Sequence, residues 1–229
     1  MAKVSAFPFV FPHEGELVRE SVAFIVIDMQ RDFCDPEGYV ARKGYDLTSI
    51  RAAIPTVKSL LSLFRSKGIH IVHTREGYAE DLSDIPSYKL WRSRQNGDGV
   101  GAVGPLGRLL IRGEPGWEIL PELAPLKDER VIDKPGTGTF FCSDLETHLR
   151  SRGISNLIIA GVTTEVCVHS TVREAIDRGF NCLVVEDACG AVSVDKHQKA
   201  IDMITTETGI FGCTVRASVL IKAIKSLPE

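Results

Sequence analysis

The sequence predicts an α/β fold: a doubly wound, mostly parallel six-stranded sheet with helices on both faces. Three observations carry this expectation. Short apolar runs such as VAFIVI at 22–27 do not alternate with polar residues, as expected of strands buried on both faces of a sheet. These runs take turns with longer stretches whose apolar residues recur at helical spacing, the mark of strand–helix–strand units. No linker rich in Pro, Gly or Ser divides the chain and no internal repeat is present, so residues 1–229 read as one domain.

Each element has its own signal. Residues 1–20 form an N-terminal arm carrying Pro8 and Pro12. The first strand, 22–27, ends at Asp28. A helix over 47–66 places Ile50, Ile54, Val57, Leu60, Leu61 and Phe64 on one face, and Gly68 closes it. A strand follows at 69–73. Residues 75–117 are rich in Gly, Arg, Asp, Ser and Pro and show no periodic element, so they read as a substrate or lid loop. A short strand at 130–133 precedes a helix that starts at Ser143, with Glu146 at capping-box spacing, and ends near Gly153. A strand at 157–161, a helix at 164–178 closed by Gly179, a strand at 182–186 and a helix at 195–207 continue the alternation. A last strand at 210–213 and a helix at 217–226 complete it.

Composition narrows the function. The 27 basic residues face 30 acidic ones, a net charge of −3, which is not the footprint of a nucleic-acid binder. No apolar run approaches the length of about 18 residues that a membrane span needs, and residues 1–20 lack the basic-then-apolar order of a signal peptide. A cytoplasmic protein with no membrane partner is expected. The six cysteines, Cys34, Cys142, Cys167, Cys182, Cys189 and Cys213, are scattered without a C-x-x-C pair and read as reduced thiols. His13, His70, His73, His148, His169 and His197 show no paired ligand spacing, and KPGTGT at 134–139 matches no phosphate-loop pattern. Neither a metal nor another cofactor is expected.

Sheets of this kind bind ligands beyond the carboxyl ends of their strands, at a topological switch point. Asp28, Lys134 and Cys167 follow three predicted strands. Cys167 sits at the start of a predicted helix, where the helix end favours thiolate and its unpaired N–H groups can hold an oxyanion. A nearby lysine would stabilise the thiolate, and a carboxylate could take the thiol proton and return it to a leaving amine. Singly, each residue has a plain structural reading: a buried core thiol, a strand-end cap, a surface cation beside Pro135. Together they form a candidate nucleophilic triad.

The blocks IVIDMQRDF (25–33), DKPG (133–136) and GVTTEVCV (161–168) resemble the isochorismatase-like cysteine hydrolases, whose members include nicotinamidases, N-carbamoylsarcosine amidase, ureidoacrylate amidohydrolase and biuret hydrolase. HTREGY (73–78), KLWRSR (89–94), RGEPGWEILPEL (112–123) and DKPGTGTFFCSDLE (133–146) are similar to the biuret hydrolase subgroup, which cleaves biuret and triuret. The resemblance implies Asp28, Lys134 and Cys167 as the catalytic groups. It also implies a cis Val162–Thr163 bond, with the Thr163 and Cys167 amides as the oxyanion hole. A homotetramer is implied as well. Phe33, Arg75 and Glu207 are the expected substrate-binding residues. Nicotinamidases carry an Asp-x-His metal motif where this chain reads HTREGYAED, so no catalytic metal is expected. Glu207 stands where biuret hydrolases are expected to carry glutamine. The expected activity is hydrolysis of a terminal C–N bond of biuret or triuret through a thioester, releasing ammonia. A ureidoacrylate, N-carbamoyl amino acid or N-carbamoylsarcosine amidohydrolase is the alternative, and a non-catalytic ligand-binding or assembly module on the same fold is the rival from another class.

Overall fold

The structure, a computed structural model, describes residues 3–227. Six strands build the main sheet: β1 (Val22–Ile27), β2 (His70–Glu76), β5 (Arg130–Lys134), β6 (Asn156–Val162), β7 (Asn181–Gly190) and β8 (Cys213–Val215), while β3 (Val103–Gly104) and β4 (Gly107–Arg108) form a small antiparallel hairpin. The short helices α1 (Arg31–Cys34) and α2 (Tyr39–Arg42) precede the long α3 (Thr48–Ser66). Then come α4 (Ser87–Ser93), α5 (Leu145–Arg150), α6 (His169–Asp177), α7 (Val194–Ile204), α8 (Thr206–Gly209) and α9 (Ala217–Lys225).

The main sheet is parallel throughout, in the order β5-β2-β1-β6-β7-β8. The chain first builds outward from β1 to β2 and β5, then returns to β6 on the other side of β1 and continues to β8. The switch point therefore lies between β1 and β6. All residues of these two strands are buried, which is why their sequences run apolar without alternation. Side chains still alternate between faces. Val22, Phe24 and Val26 join the core under α3 and α9, where Phe24 stacks on Phe64 at 4.6 Å. Ala23, Ile25 and Ile27 join the opposite core, with Leu145 and Leu149 of α5 and Val172 of α6. No helix among the described residues is long and apolar enough to cross a membrane.

Several local expectations need correction. Residues 75–117 are not structureless: β2 runs on to Glu76, and α4 and the β3–β4 hairpin lie in this stretch. The segment escapes periodicity because its elements are only two to seven residues long. Ser143 does not sit at the helix boundary. Asp144 precedes α5, while the Ser143 hydroxyl donates to the Thr139 carbonyl and accepts from the Leu145 N–H at 3.3 Å. The last strand is Cys213–Val215 rather than 210–213, because Gly209 and Gly212, both at positive φ, turn the chain first. The N-terminal arm packs on its own chain: Phe7 and Thr214 exchange backbone hydrogen bonds of 2.9 and 2.7 Å, and Val4 and Phe11 are fully buried.

One glycine is indispensable to the switch point. Gly161 has φ +122°, and a Cβ there would lie 2.1 Å from the Ile27 carbonyl oxygen and 2.6 Å from its N. Gly161 is paired with Ile27 in the register of β1 and β6, so it sets how closely the two strand ends approach. Gly161→Ala is expected to destabilise the fold by more than about 3 kcal/mol, read as a lowered urea midpoint. A midpoint within experimental error of the parent would contradict this close packing.

Candidate active site

Parallel register brings four chain-distant residues to one edge of the sheet. Glu76 and Lys134 are partners at the ends of β2 and β5, and Ile27 and Gly161 at the ends of β1 and β6. Asp28 follows Ile27 directly, and Cys167 comes six residues after Gly161. The two-residue period of β2 points Thr74 and Glu76 to the side of Val72, the face on which Cys167 packs.

Lys134 is the centre of the cluster. It has no exposed surface, and its ammonium lies 2.8 Å from Asp28 Oδ2 and 3.6 Å from Glu76 Oε2. It also donates to the carbonyls of Gly136 at 2.8 Å and Thr137 at 3.2 Å. Burial works against its charge, but the carboxylates of Asp28 and Glu76 outweigh that and hold it protonated. Asp28 is fixed from its other side by Thr74, whose hydroxyl donates to Asp28 Oδ1 at 2.5 Å and accepts from the Asp28 N–H at 3.1 Å. The Asp28 backbone is in the left-handed region at φ 49°, a conformation that costs a non-glycine residue energy and that these contacts hold in place. Burial raises the Asp28 carboxyl; Lys134 opposes the rise and Glu76 adds to it.

Cys167 lies in a π-helical turn, Thr164–Val168, that leads into α6. Such turns recur at functional sites because they redirect a side chain within a helix. The thiol donates to Glu76 Oε2 at 3.4 Å. The expectation of a thiol biased toward thiolate is not met. Burial pushes the thiol well above its ordinary value; Lys134 opposes this, but Asp28 and Glu76 reinforce it. The environment favours the protonated thiol, with the Asp28 and Glu76 carboxylates beside it. The Val162–Thr163 peptide is cis, and Thr163 and Cys167 both line the cavity above the sheet edge.

That cavity has a volume of about 370 Å³. Its inner wall holds Glu76, Tyr78, Thr163, Cys167 and Phe33, the last of these at an expected substrate-contact position. Its outer wall carries Lys43, Arg92 and Lys196, together with one carboxylate, Glu165, whose Oε1 accepts from the Val192 N–H at 3.2 Å. Arg92 and Lys196 are exposed, and none of the three forms an ion pair among the described residues: Lys43 donates to the Ser93 carbonyl, and Lys196 lies 5.9 Å from the Tyr45 ring.

Two expected substrate contacts fall elsewhere. Arg75 points to the opposite face of β2 from Thr74 and Glu76. There it pairs with Asp133, its register neighbour on β5, at 2.8 Å and with Glu118 at 2.9 Å, and its guanidinium lies 3.5 Å from the centre of the Trp117 ring. Glu207 is exposed, at φ 48° in the short turn of α8, and does not line the cavity. Trp91 is also exposed, 5.9 Å from the Tyr88 ring, and Trp117 is a buried anchor. Four residues beside the triad carried no sequence-level assignment: Thr74, Glu76, Lys89 and Gln30. Lys89 pairs with Glu76 at 3.1 Å. Gln30 accepts from the Glu76 N–H at 2.7 Å and donates to the Glu76 carbonyl at 3.0 Å. The alternation of TRE at 74–76 was the available signal.

Among the described residues, Asp28, Glu76 and Cys167 are the one group of three potential metal ligands, with atoms within 4.8 Å of one another. The set does not fit a metal ion, because the Lys134 ammonium already sits against both carboxylates and supplies the positive charge.

Residues 22–215 match the isochorismatase domain family. The chain is 30% identical to the ureidoacrylate amidohydrolase RutB of Azorhizobium caulinodans over 194 residues, 82% of this chain and 85% of that protein. A cysteine hydrolase from Pseudomonas syringae superimposes with a TM-score of 0.78 at 25% identity, covering 93% of this chain and 96% of its own. N-carbamoylsarcosine amidase from Thermoplasma acidophilum shares the fold at a TM-score of 0.66 and 24% identity, over 86% of this chain and 96% of its own.

Two measurements check the geometry. Thr74→Val leaves the buried Asp28 N–H and Oδ1 without a partner and is expected to cost about 1–3 kcal/mol of stability. Iodoacetamide labelling of Cys167, followed by peptide mass, is expected to accelerate with pH beyond the ordinary thiol value of 9.0. A labelling rate already level below about pH 8 would show a thiolate at rest and contradict the assigned environment.

Proposed function

The chain belongs to the isochorismatase family, and from that premise we propose that it is a cysteine amidohydrolase of small ureides that carry a carboxylate. The observation that carries the substrate assignment is the unpaired positive charge of Lys43, Arg92 and Lys196 around a cavity whose inner end holds Cys167. Inside, Lys134 and Lys89 are matched by Asp28 and Glu76. Outside, Lys43, Arg92 and Lys196 outnumber the one other carboxylate of the lining, Glu165, and a guanidinium with two ammonium groups favours a carboxylate over a neutral tail. A curated relative named ureidoacrylate amidohydrolase supports the same class.

The reaction follows from the cluster. A terminal carbamoyl group enters with its carbonyl oxygen toward the Thr163 and Cys167 amides. Asp28 takes the Cys167 proton while the sulfur attacks the carbonyl carbon, so the C–S bond forms and the negative charge moves to the oxyanion. The C–N bond breaks as Asp28 returns that proton to the leaving amine, and a thioester remains. Water then attacks the thioester and Asp28 takes its proton. The C–S bond breaks, and the proton returns to the sulfur. Lys134 keeps the charge of the cluster balanced at each step and holds Asp28 between sulfur and substrate. Phe33 supplies an apolar wall.

A second reading is a neutral substrate, biuret or triuret, favoured by the HTREGY, KLWRSR and RGEPGWEILPEL blocks. Ammonia release from a panel of 3-ureidoacrylate, N-carbamoyl amino acids, biuret and triuret separates the two readings. Arg92→Ala with Lys196→Ala is expected to raise KM for ureido acids about tenfold or more while leaving KM for biuret within about twofold, the size expected for losing charged contacts to a carboxylate. Equal effects on both substrates would reject the carboxylate assignment. Cys167→Ser is expected to lose at least about a thousandfold in kcat, as a nucleophile does, and parental turnover in that variant would end the cysteine mechanism. Activity is expected to survive EDTA, and loss that zinc restores would reject an ammonium-centred site.

A further inference from the structure

Glu76 is a second carboxylate at the nucleophile, and the reaction steps above give it no part. Each of its polar atoms is occupied. Its N–H and C=O are bracketed by the Gln30 amide. Oε1 accepts from the Tyr78 hydroxyl at 2.8 Å and from Lys89 Nζ at 3.1 Å. Oε2 accepts from the Cys167 thiol at 3.4 Å and faces Lys134 at 3.6 Å. Glu76 helps to balance the buried Lys134 ammonium, but that role alone does not require its contact with the sulfur. Lys89 lies on α4, which walls the cavity, so Glu76 touches both that wall and the sulfur.

We propose that Glu76 is the positioning residue for Cys167: it holds the S–H of the resting thiol in one orientation and ties that orientation to the α4 wall through Lys89. The two carboxylates then divide the work. Burial would lift Glu76, but the ammonium groups of Lys134 and Lys89 and the Tyr78 hydroxyl outweigh burial and keep it ionised, so it accepts a hydrogen bond without keeping the proton. Asp28, raised by burial, is the group that takes the proton when the sulfur attacks. Holding the sulfur in place before substrate arrives fixes its position for attack, and the S–H turns from Glu76 to Asp28, its other carboxylate neighbour, as the C–S bond forms.

This inference rests on Cys167 as nucleophile, and the test separates the two claims. Parental Cys167 must be the residue labelled by iodoacetamide with concurrent loss of ammonia release; if it is not, the nucleophile assignment fails before Glu76 is in question. Given that, Glu76→Gln removes the anion beside the sulfur with little change of shape. It is expected to lower the labelling midpoint by about one pH unit and to lower kcat tenfold or more, with KM within threefold. Lys89→Met, which leaves Glu76 in place but without its α4 partner, is expected to lower kcat about fivefold. It should cause no further loss when added to Glu76→Gln, as expected of residues acting through one another. Glu76→Asp, which shortens the reach but keeps the charge, is expected to restore the parental labelling midpoint and not the parental kcat. A Glu76→Gln protein with lowered kcat and an unmoved labelling midpoint would reduce the residue to a structural part and overturn the proposal. So would fully additive losses from Glu76→Gln and Lys89→Met, and so would parental kcat in either variant. Should Glu76→Gln fail to fold, the labelling midpoint of Lys89→Met decides alone: a rise supports the proposal, and no shift overturns it.

Discussion

An ammonium group with no contact with water must be surrounded by groups that replace its hydration, and the geometry of the whole sheet edge answers to that need at Lys134. Two carbonyls from the turn after β5 and one carboxylate from the end of β1 sit at hydrogen-bond distance, and a second carboxylate from β2 stands just beyond. Removing any of these would leave a buried charge uncompensated, which costs far more than the pair gains by forming. The same arrangement keeps Asp28 in its left-handed backbone conformation and keeps both carboxylates near the sulfur. The chemistry is thus a by-product of a desolvated charge that the fold is obliged to satisfy.

The consequence at the nucleophile runs against simple intuition. A lysine beside a cysteine is expected to give a thiolate, and a helix start is expected to help. Here the lysine's charge is already matched by two carboxylates, and burial decides the outcome. In the proposed reaction, attack moves a proton within the cluster and leaves the formal charge of the site unchanged. The cavity has a corresponding division. Its inner end pairs Lys134 and Lys89 with Asp28 and Glu76, whereas its outer end sets Lys43, Arg92 and Lys196 against the single carboxylate of Glu165.

Much of this was legible in the sequence, for identifiable reasons. Asp28 and Cys167 follow strands whose unbroken apolar runs announce burial on both faces, so the end of each run marks the edge where ligands bind; Lys134 instead closes the edge strand RVIDK, exposed at Arg130 and Asp133, and was legible through the DKPG block. Arg75 was misplaced because spacing along the chain was weighed and side-chain alternation was not. The two-residue period that sends Thr74 and Glu76 toward the sulfur necessarily sends Arg75 away, onto Asp133. Glu76 went unassigned for the same reason, its place in the motif having been read as the lack of a metal ligand. Glu207 was expected to reach the pocket from a helix end, but the positive φ values at Glu207 and Thr208 turn that end outward. The α4 segment and the hairpin beside it escaped because seven residues or fewer do not show a period, and the basic outer wall is assembled from elements that only the tertiary fold brings together.

The pairing of the N-terminal arm with β8 has a consequence for how the chain comes into being. Phe7 finds its hydrogen-bond partner at Thr214, near the far end of the polypeptide. During synthesis the arm is made about 200 residues before β8 and until then has no strand to bind. During that interval Val4 and Phe11, fully buried in the finished molecule, are without the shelter that the last strand completes. Domains gain order as units when their long-range partners become available. The arm is therefore secured only after β8 is available, although it lies far earlier in the chain.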